Sequence, residues 1–592
     1  MKKFLLTCVF PLLLLFACEK GGMGNDDNDD DFSEDDLEES VENTGNTVSD
    51  IASENEEDHE EDTDYKWDTA DVVSIVLNGS SATVGGSGAT ASGSTVTIKS
   101  SGTYSFSGTL TNGQIVVNTD DTNIVRLILN GVGITCQNSA PINIEKAEKA
   151  MVVLADNTTN YLTDGTTYSS DDDPNATLFS KSDLTIYGDG TLIIDANYND
   201  GITSKDGLII KSGTITVDAA DDGIRGKDYL IVKDGNITLT TGGDGLKSDN
   251  DEDSDRGYIR VEKGTINISA GDDAIQAETD VMVSDGTFSL TAGGGSSKTA
   301  TSTLSSKGIK AGVNLVIDSG TFTISTSDDA IHSNENLSIN GGTFSISAGD
   351  DGIHADTSLG INGGTIDITK SYEGIESKVI KITDGDIHVT SSDDGLNVAG
   401  GKDSSGSGGW GGQGGFSSSS GNYYLYIDGG YIYVDAGGDG LDANGTIEMT
   451  AGTVIVNGPT SNNDGALDYD SGFKISGGFL VAAGSSGMAQ APGSGSSQYS
   501  LLMTFSSAKT AGTMVHIQDG SGNDILSFVP TKRFQSVAFS SPELEKGSAY
   551  DVYTGGSSSG TVADGLYSGG TYTAGTQIGS FTISGTVTKF NK

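Results

Sequence analysis

The sequence predicts an all-β chain, a right-handed parallel β-helix followed by a small C-terminal β domain. Three observations predict it. First, an Asp-Gly-Ile signature recurs at a nearly fixed step: Asp200-Gly201-Ile202, Asp222-Gly223-Ile224 and Asp244-Gly245-Leu246, then Asp329-Ala330-Ile331, Asp351-Gly352-Ile353, Glu373-Gly374-Ile375 and Asp394-Gly395-Leu396. A repeat of roughly 20–30 residues is the mark of a stacked architecture in which each unit buries its apolar face only against its neighbours. Second, apolar residues alternate with polar ones within each unit, as in Leu337/Ile339 and Phe344/Ile346/Ala348, which is strand periodicity. Third, no part of the repeat places apolar residues at helical spacing. Three short strands broken by Gly, Asn and Asp at the corners then make one coil. Each coil adds about 4.8 Å along the axis.

The other segments follow in chain order. Residues 1–18 read as a secretory signal: Lys2-Lys3, an apolar run from Phe4 to Phe16, and Leu15-Phe16-Ala17-Cys18. They resemble bacterial lipoprotein signals, which implies cleavage before Cys18, lipidation of its thiol and an outer-membrane, cell-surface lipoprotein. Residues 19–66 are expected to be a disordered acidic tether, because Asn25 to Asp64 holds twenty acidic residues and no Lys or Arg, and such a stretch repels itself. Residues 67–495 form the β-helix, whose first coils are the apolar runs at Val96, Ile115, Leu127 and Met151. Three insertions interrupt it: an acidic loop from Lys247 to Tyr258, a Gly/Ser/Thr-rich stretch from Gly293 to Ser306, and a Gly/Ser-rich stretch from Gly400 to Asn422 carrying Trp410. Residues 496–592 lose the repeat and are expected to cover the open edge of the last coil, which would otherwise invite aggregation.

The net charge of −51 and the lack of any basic stripe exclude nucleic acid as a partner. Cys8 leaves with the signal and Cys18 is lipidated, so Cys136 stands alone and no internal disulfide is possible. The chain is expected to be a monomer.

In a parallel coil a residue type fixed in the repeat becomes a column. The acids that close successive coils would stack at one strand spacing, where unscreened like charges repel unless protonated, hydrogen-bonded or bridged. Oxygen-only donors suit Ca²⁺, with Asp221, Asp222, Asp272, Asp273, Asp350, Asp351, Asp393 and Asp394 as candidate ligands. The competing reading is that each Asp accepts backbone N–H groups at its own corner. Beside this column runs a second: Thr203, Arg225, Lys247, Gln276, Lys310, His332, His354, Glu376, Asn397 and Asp442. Its cations, with Lys227 nearby, would meet the carboxylates of an acidic polysaccharide. The candidate sugar-binding residues are therefore Arg225, Lys227, Lys247, Lys310, His332, His354 and Trp410.

The Asp-Gly-Ile coils, the stretch from Leu127 to Ile134, Ala155 to Asn160, and Asn197-Tyr-Asn-Asp-Gly-Ile202 together resemble the bacterial carbohydrate-binding β-helix family. The resemblance covers roughly residues 67–490. It implies a right-handed parallel β-helix, bound calcium, cellulose or pectin binding, and similarity to pectate lyases without established lyase activity. Three functions stay open: a non-catalytic polysaccharide-binding lipoprotein, a calcium-dependent lyase with Lys205, Arg225, Lys227 or Lys247 as base, and an adhesin. No residue has an unambiguous catalytic context, which favours the first.

Overall fold

The computed structural model describes residues 34–169, 174–299, 305–399 and 423–592. Cys18 and Trp410 lie outside these residues. The chain is almost entirely β, and a parallel ladder of strands runs through it. Most strands of the repeat pair in parallel with the strand three positions later: Ile202 with Ile224, Leu208 with Leu230, Ile215 with Ile237. The path thus returns to the same sheet every coil, and three sheets wind together as a β-solenoid. The first sheet includes Ile224–Gly226, Leu246–Ser248, Ile275–Ala277, Ile331–Ser333 and Leu396–Val398. The second includes Gly207–Ile210, Tyr229–Val232, Tyr258–Val261, Asn314–Ile317 and Asn336–Ile339. The third includes Thr214–Ala219, Asn236–Thr241, Thr287–Ala292 and Thr343–Ser347. The strands expected around Val96, Ile115, Leu127 and Met151 all join this ladder as its first coils.

Alternation sends one side of every strand inward. Ile202, Ile224, Leu246, Ile275, Ile309, Ile331, Ile353, Ile375, Leu396 and Leu441 form the single inward stack that the repeat predicts, and all are fully buried. The third sheet adds its own ladder, with Phe288, Phe322 and Phe344 rings stacked nearly parallel at 4.5 and 4.6 Å. Each such side chain contributes about 1.5–3 kcal/mol by burial.

The glycine of the signature is explained by close approach. A Cβ on Gly223 would lie 2.6 Å from the Gly245 carbonyl, and one on Gly352 would lie 2.6 Å from that of Gly374. Ala274 and Ala330 occupy the same position while keeping their ladder bonds, so the coil can shift to admit a methyl. A second glycine column, Gly213, Gly235 and Gly264, turns the chain from second to third sheet with φ of 121°, 133° and 132°, a region that residues with a Cβ avoid.

Beyond the last parallel coil the direction reverses. Phe534–Ser540 pairs antiparallel with Phe479–Gly484 of the third sheet and with Ser500–Lys509. A separate six-stranded antiparallel sheet is built from residues 515–582. Phe505, Val515, Phe528 and Phe539 share one core with Ile455 and Val481 of the solenoid.

The expected tether is corrected from Glu34 onward. Residues 34–66 form two short helices, Glu34–Asn43 and Val48–Ala52, and then an extended strap lying along the second sheet. The strap crosses the coils in reverse order. Asn362 donates to the Thr44 carbonyl and Asn340 to that of Asn46. Val48 and Ile51 bury on Ile231, Met282 and Val316. Further on, Tyr258 donates to the Glu56 carbonyl, Lys233 pairs with Asp58 and Glu60, and Arg126 donates twice to the Asp64 carbonyl. Counting local charge misleads here because the neutralising cations lie 85–202 residues away in sequence.

His59 pins this strap. Its ring nitrogens meet the Tyr229 hydroxyl at 2.7 Å and Thr185 Oγ1 at 2.8 Å. Burial, with the charge of Lys149, pushes the imidazole down to about 4. The folded value lies below the unfolded one, so the neutral ring contributes stability fully above about pH 6.5, and the contribution is lost as pH falls toward the folded value. Hydrogen bonds from Lys211, Lys233 and Tyr65 overcome burial and hold Glu60 down to about 2, so Glu60 contributes little change in that window. Burial raises Asp183, 3.4 Å away, to about 6, which acts with the opposite sign. Comparing wild type with His59→Asn isolates the imidazole. Limited proteolysis of the strap should accelerate between about pH 7 and pH 5 in wild type, and the acceleration should shrink in the variant. Equal acceleration in both would remove His59 from this role.

A candidate binding ridge of stacked polar side chains

The register aligns the outward residues of the first sheet. Thr203, Arg225, Lys247, Gln276, Lys310, His332, His354, Glu376, Asn397 and Asp442 pair in turn, each with the next coil's equivalent. The closing acids run alongside them. Their two oxygens have separate jobs. One accepts the backbone N–H of the equivalent residue one coil on: Asp222 from Asp244 at 2.9 Å, Asp244 from Asp273 at 2.9 Å, Asp329 from Asp351 at 3.0 Å, Asp394 from Asp439 at 2.6 Å. The acceptor bond thus ties neighbouring coils together instead of closing the residue's own corner. The other oxygen faces the second column.

Along most of the ridge that second oxygen meets a cation. Lys247 Nζ lies 3.1 Å from Asp222 Oδ2 and 2.7 Å from Asp244 Oδ2. Lys310 lies 3.4 Å from Asp273, Arg225 lies 3.8 Å from Asp200, and Lys307 contacts Asp328 and Asp329. His332 and His354 present Nδ1 to Asp329 and Asp351 at 2.9 and 3.0 Å. Burial opposes a charge on His354, but hydrogen bonds to Asp351 and Asp356 outweigh it and raise the imidazole to about 11. Asp222 and Asp244 likewise outweigh burial at Lys247 and hold its ammonium well above the ordinary range.

Past His354 the cations stop. Among the described residues no Lys or Arg pairs with Glu373, Glu376, Asp394, Asp439, Asp442 or Asp468. Burial and Asp442 push Asp394 up to about 8, burial and Asp439 push Asp442 up to about 7, and burial with Asp468 nearby pushes Asp439 up to about 6. Carboxylate oxygens of Asp439, Asp442 and Asp468 all lie within 4.8 Å of one another. Asn397, 6% exposed, gives its amide N–H groups to Glu373 and Glu376, while its Oδ1 has no partner. The donors gathered at this end are oxygens, the set that a hard divalent cation takes.

The candidate residues therefore divide. Arg225, Lys247, Lys310, His332 and His354 stand in one row, each engaged with the protein's own carboxylates. Lys227 lies off the row, 3.7 Å from Glu252. Of the candidate calcium ligands, Asp222 and Asp273 face lysines, and Asp221 and Asp272 precede them in sequence. Asp350 gathers with Asp328 and Asp329, and Asp351 with His354 and Glu376. Asp393 and Asp394 lie within the cation-free end, and Asp351 borders it through Glu373 and Glu376. The cluster that sequence reasoning missed is Asp439, Asp442 and Asp468. Its signal was Asp464-Gly465-Ala466-Leu467, a further copy of the signature, whose Leu467 bridges to Leu441.

Fold and ridge together define a parallel β-solenoid that displays one ordered polar side chain per coil. Residues 92–352 match a family model described as carbohydrate-binding domain-containing protein. A protein of the same description from Acetivibrio thermocellus is 44% identical over 128 residues, 21% of this chain, and the chain spans 45% of that relative's length. This part of the chain is therefore similar in sequence to proteins described as carbohydrate-binding domain-containing. A solved structure of the polysaccharide lyase-like protein from C. thermocellum, a gadolinium derivative, is 39% identical, covering 37% of this chain and 90% of that one, with a TM-score of 0.35.

Lys247 is the most consequential cation of the ridge. Lys247→Met leaves Asp222 and Asp244 facing each other without a counter-charge, and should cost about 2–4 kcal/mol in denaturant unfolding. Adding Asp222→Asn should recover part of the loss. A single variant as stable as wild type would show that the ammonium is not needed there.

Proposed function

We propose that this chain is a surface lipoprotein that binds an acidic, pectin-like polysaccharide through the ridge, with Ca²⁺ held at its cation-free end, and does not cleave the polymer. The observation that carries the reading is the polarity of the ridge. In the coils up to His354 a lysine, arginine or histidine meets the ridge acids, whereas in the coils from Glu373 to Asp468 no Lys or Arg among the described residues does, and His354 reaches only Glu376. A divalent cation there would be held by Asp439, Asp442 and Asp468, with Asn397 paired to Asp442 one coil before, and could bridge a uronate carboxylate. The homology of residues 92–352 to a carbohydrate-binding domain supports a sugar polymer as partner.

A lyase would need a neutral base beside the cation. Asp222 and Asp244 keep Lys247 charged. The Arg225 guanidinium is held above its ordinary value, Asp249 and Asp200 outweighing its burial. Both disfavour proton abstraction, which supports binding without cleavage.

Affinity electrophoresis in gels containing polygalacturonate tests the reading. Retardation should appear with Ca²⁺, fall with chelator, and weaken on Asp439→Asn/Asp442→Asn. Equal migration under all conditions defeats it, and unsaturated uronate products would establish the lyase. Calcium should also raise the melting temperature, since binding to the native state alone stabilises it, and the double variant should lose most of that gain.

A further inference from the structure

The face beneath the strap has a composition unlike the rest of the molecule. In a chain with 32 Lys and Arg against 83 acids, Arg126, Lys149, Lys211, Lys233 and Arg260 sit along one stretch of the second sheet, and every one of them contacts the strap. Between these cations lie the rings of Tyr229 and Tyr258, stacked at 5.4 Å. Cations from successive coils with a pair of stacked aromatic rings beside them suit a linear polymer that carries acidic groups on sugar rings.

Residues 54–66 occupy this face as such a polymer would. Residues 56–61 run along the face without helix or hydrogen-bonded turn, residues 62–65 close in a turn, and the segment presents Glu56, Asp58, Glu60 and Asp64 to basic side chains. Lys149 pairs with Asp64 at 2.9 Å, and both Lys233 and Arg260 reach Asp58 at 3.0 and 2.9 Å. Val48 and Ile51 bury on apolar side chains, but the segment after Asn55 is held by polar groups. The cover also fits imperfectly: Arg260 Nε and Asn55 Oδ1 are buried with no partner. A segment serving only to bury the sheet would gain from apolar side chains and would not leave a guanidinium N–H unsatisfied.

We propose that the sheet beneath residues 54–66 is a second binding site for an anionic polysaccharide, which the chain's own acidic strap occupies until polymer displaces it. The strap is an intramolecular competitor, present at the high effective concentration of a tethered ligand, so affinity in the intact chain is reduced and depends on polymer length. The inference rests on the proposed function only for the kind of polymer.

The test is run in chelator, which silences any calcium-dependent binding at the ridge, so failure here leaves the ridge reading untouched. Full-length wild type and Glu56→Gln/Asp58→Asn/Glu60→Gln/Asp64→Asn are compared by affinity electrophoresis in polygalacturonate, neutral glucan and polyglutamate. The variant should bind polygalacturonate on the order of tenfold more tightly than wild type and show no gain on neutral glucan. Adding Lys233→Ala and Arg260→Ala should abolish the gain. No gain, a gain that survives those two changes, or tighter retention by polyglutamate than by polygalacturonate overturns the proposal. Hydrogen exchange on wild type decides the matter even if the variant fails to fold. Exchange at residues 54–66 should quicken in saturating polygalacturonate, and unchanged protection overturns the proposal.

Discussion

The backbone ladder between coils is the constraint on which everything else depends. Once Ile202 is paired with Ile224 and Leu246, every other position in the coil is also placed over its own equivalent, about 4.8 Å away. For apolar residues this repetition is favourable, and the Ile and Phe stacks follow from it. For Asp it is costly, because like charges are forced together where solvent is scarce. The ridge shows how the cost is met. One oxygen of each acid accepts an N–H from the neighbouring coil, and a lysine, arginine or histidine from the adjacent column meets the other. The acids thus become part of the ladder. Where that arrangement ends, at Glu373, burial pushes the carboxyl groups up toward neutrality, and the molecule acquires a place suited to an external cation.

The second sheet answers the same constraint differently. Its outward cations are also stacked, but they are met by residues from far away in the sequence. Among the described residues the strap runs along the axis instead of around it, and so it touches many coils at once. Stability that would otherwise be strictly nearest-neighbour therefore acquires a long-range element between Arg126 and Asn362.

Much of this was legible in the sequence. The step between Asp-Gly-Ile signatures fixed which residues share a face, so the inward stack and the outward column from Thr203 to Asp442 agree with the register residue for residue. The Asx reading of the acids had the right donor type and the wrong coil, because sequence spacing says nothing about which neighbour an N–H points to. The pairing of Lys247 with Asp222 and Asp244 depends on side-chain reach, which a column alignment does not encode. Asp468 was hidden by a coil of irregular length. The strap was missed for a different reason: residues 34–66 look disordered when judged by their own charge, and Lys211, Lys233 and Arg260 look like ordinary surface cations when judged by theirs. Only the fold brings the two together.

The reversed course of the strap has a mechanical consequence. A load applied at the N-terminus does not enter the solenoid at its first coil. It arrives near Thr44 and Asn362, well along the axis, and the strap hangs between that point and Arg126. Pulled away from the face, its attachments come under tension one coil at a time, as in a zipper, while the ladder hydrogen bonds of the coils beneath carry none of the load. The strap is then a slack reserve of about twenty residues, from Thr44 to Asp64, that can extend under tension before the solenoid itself is strained.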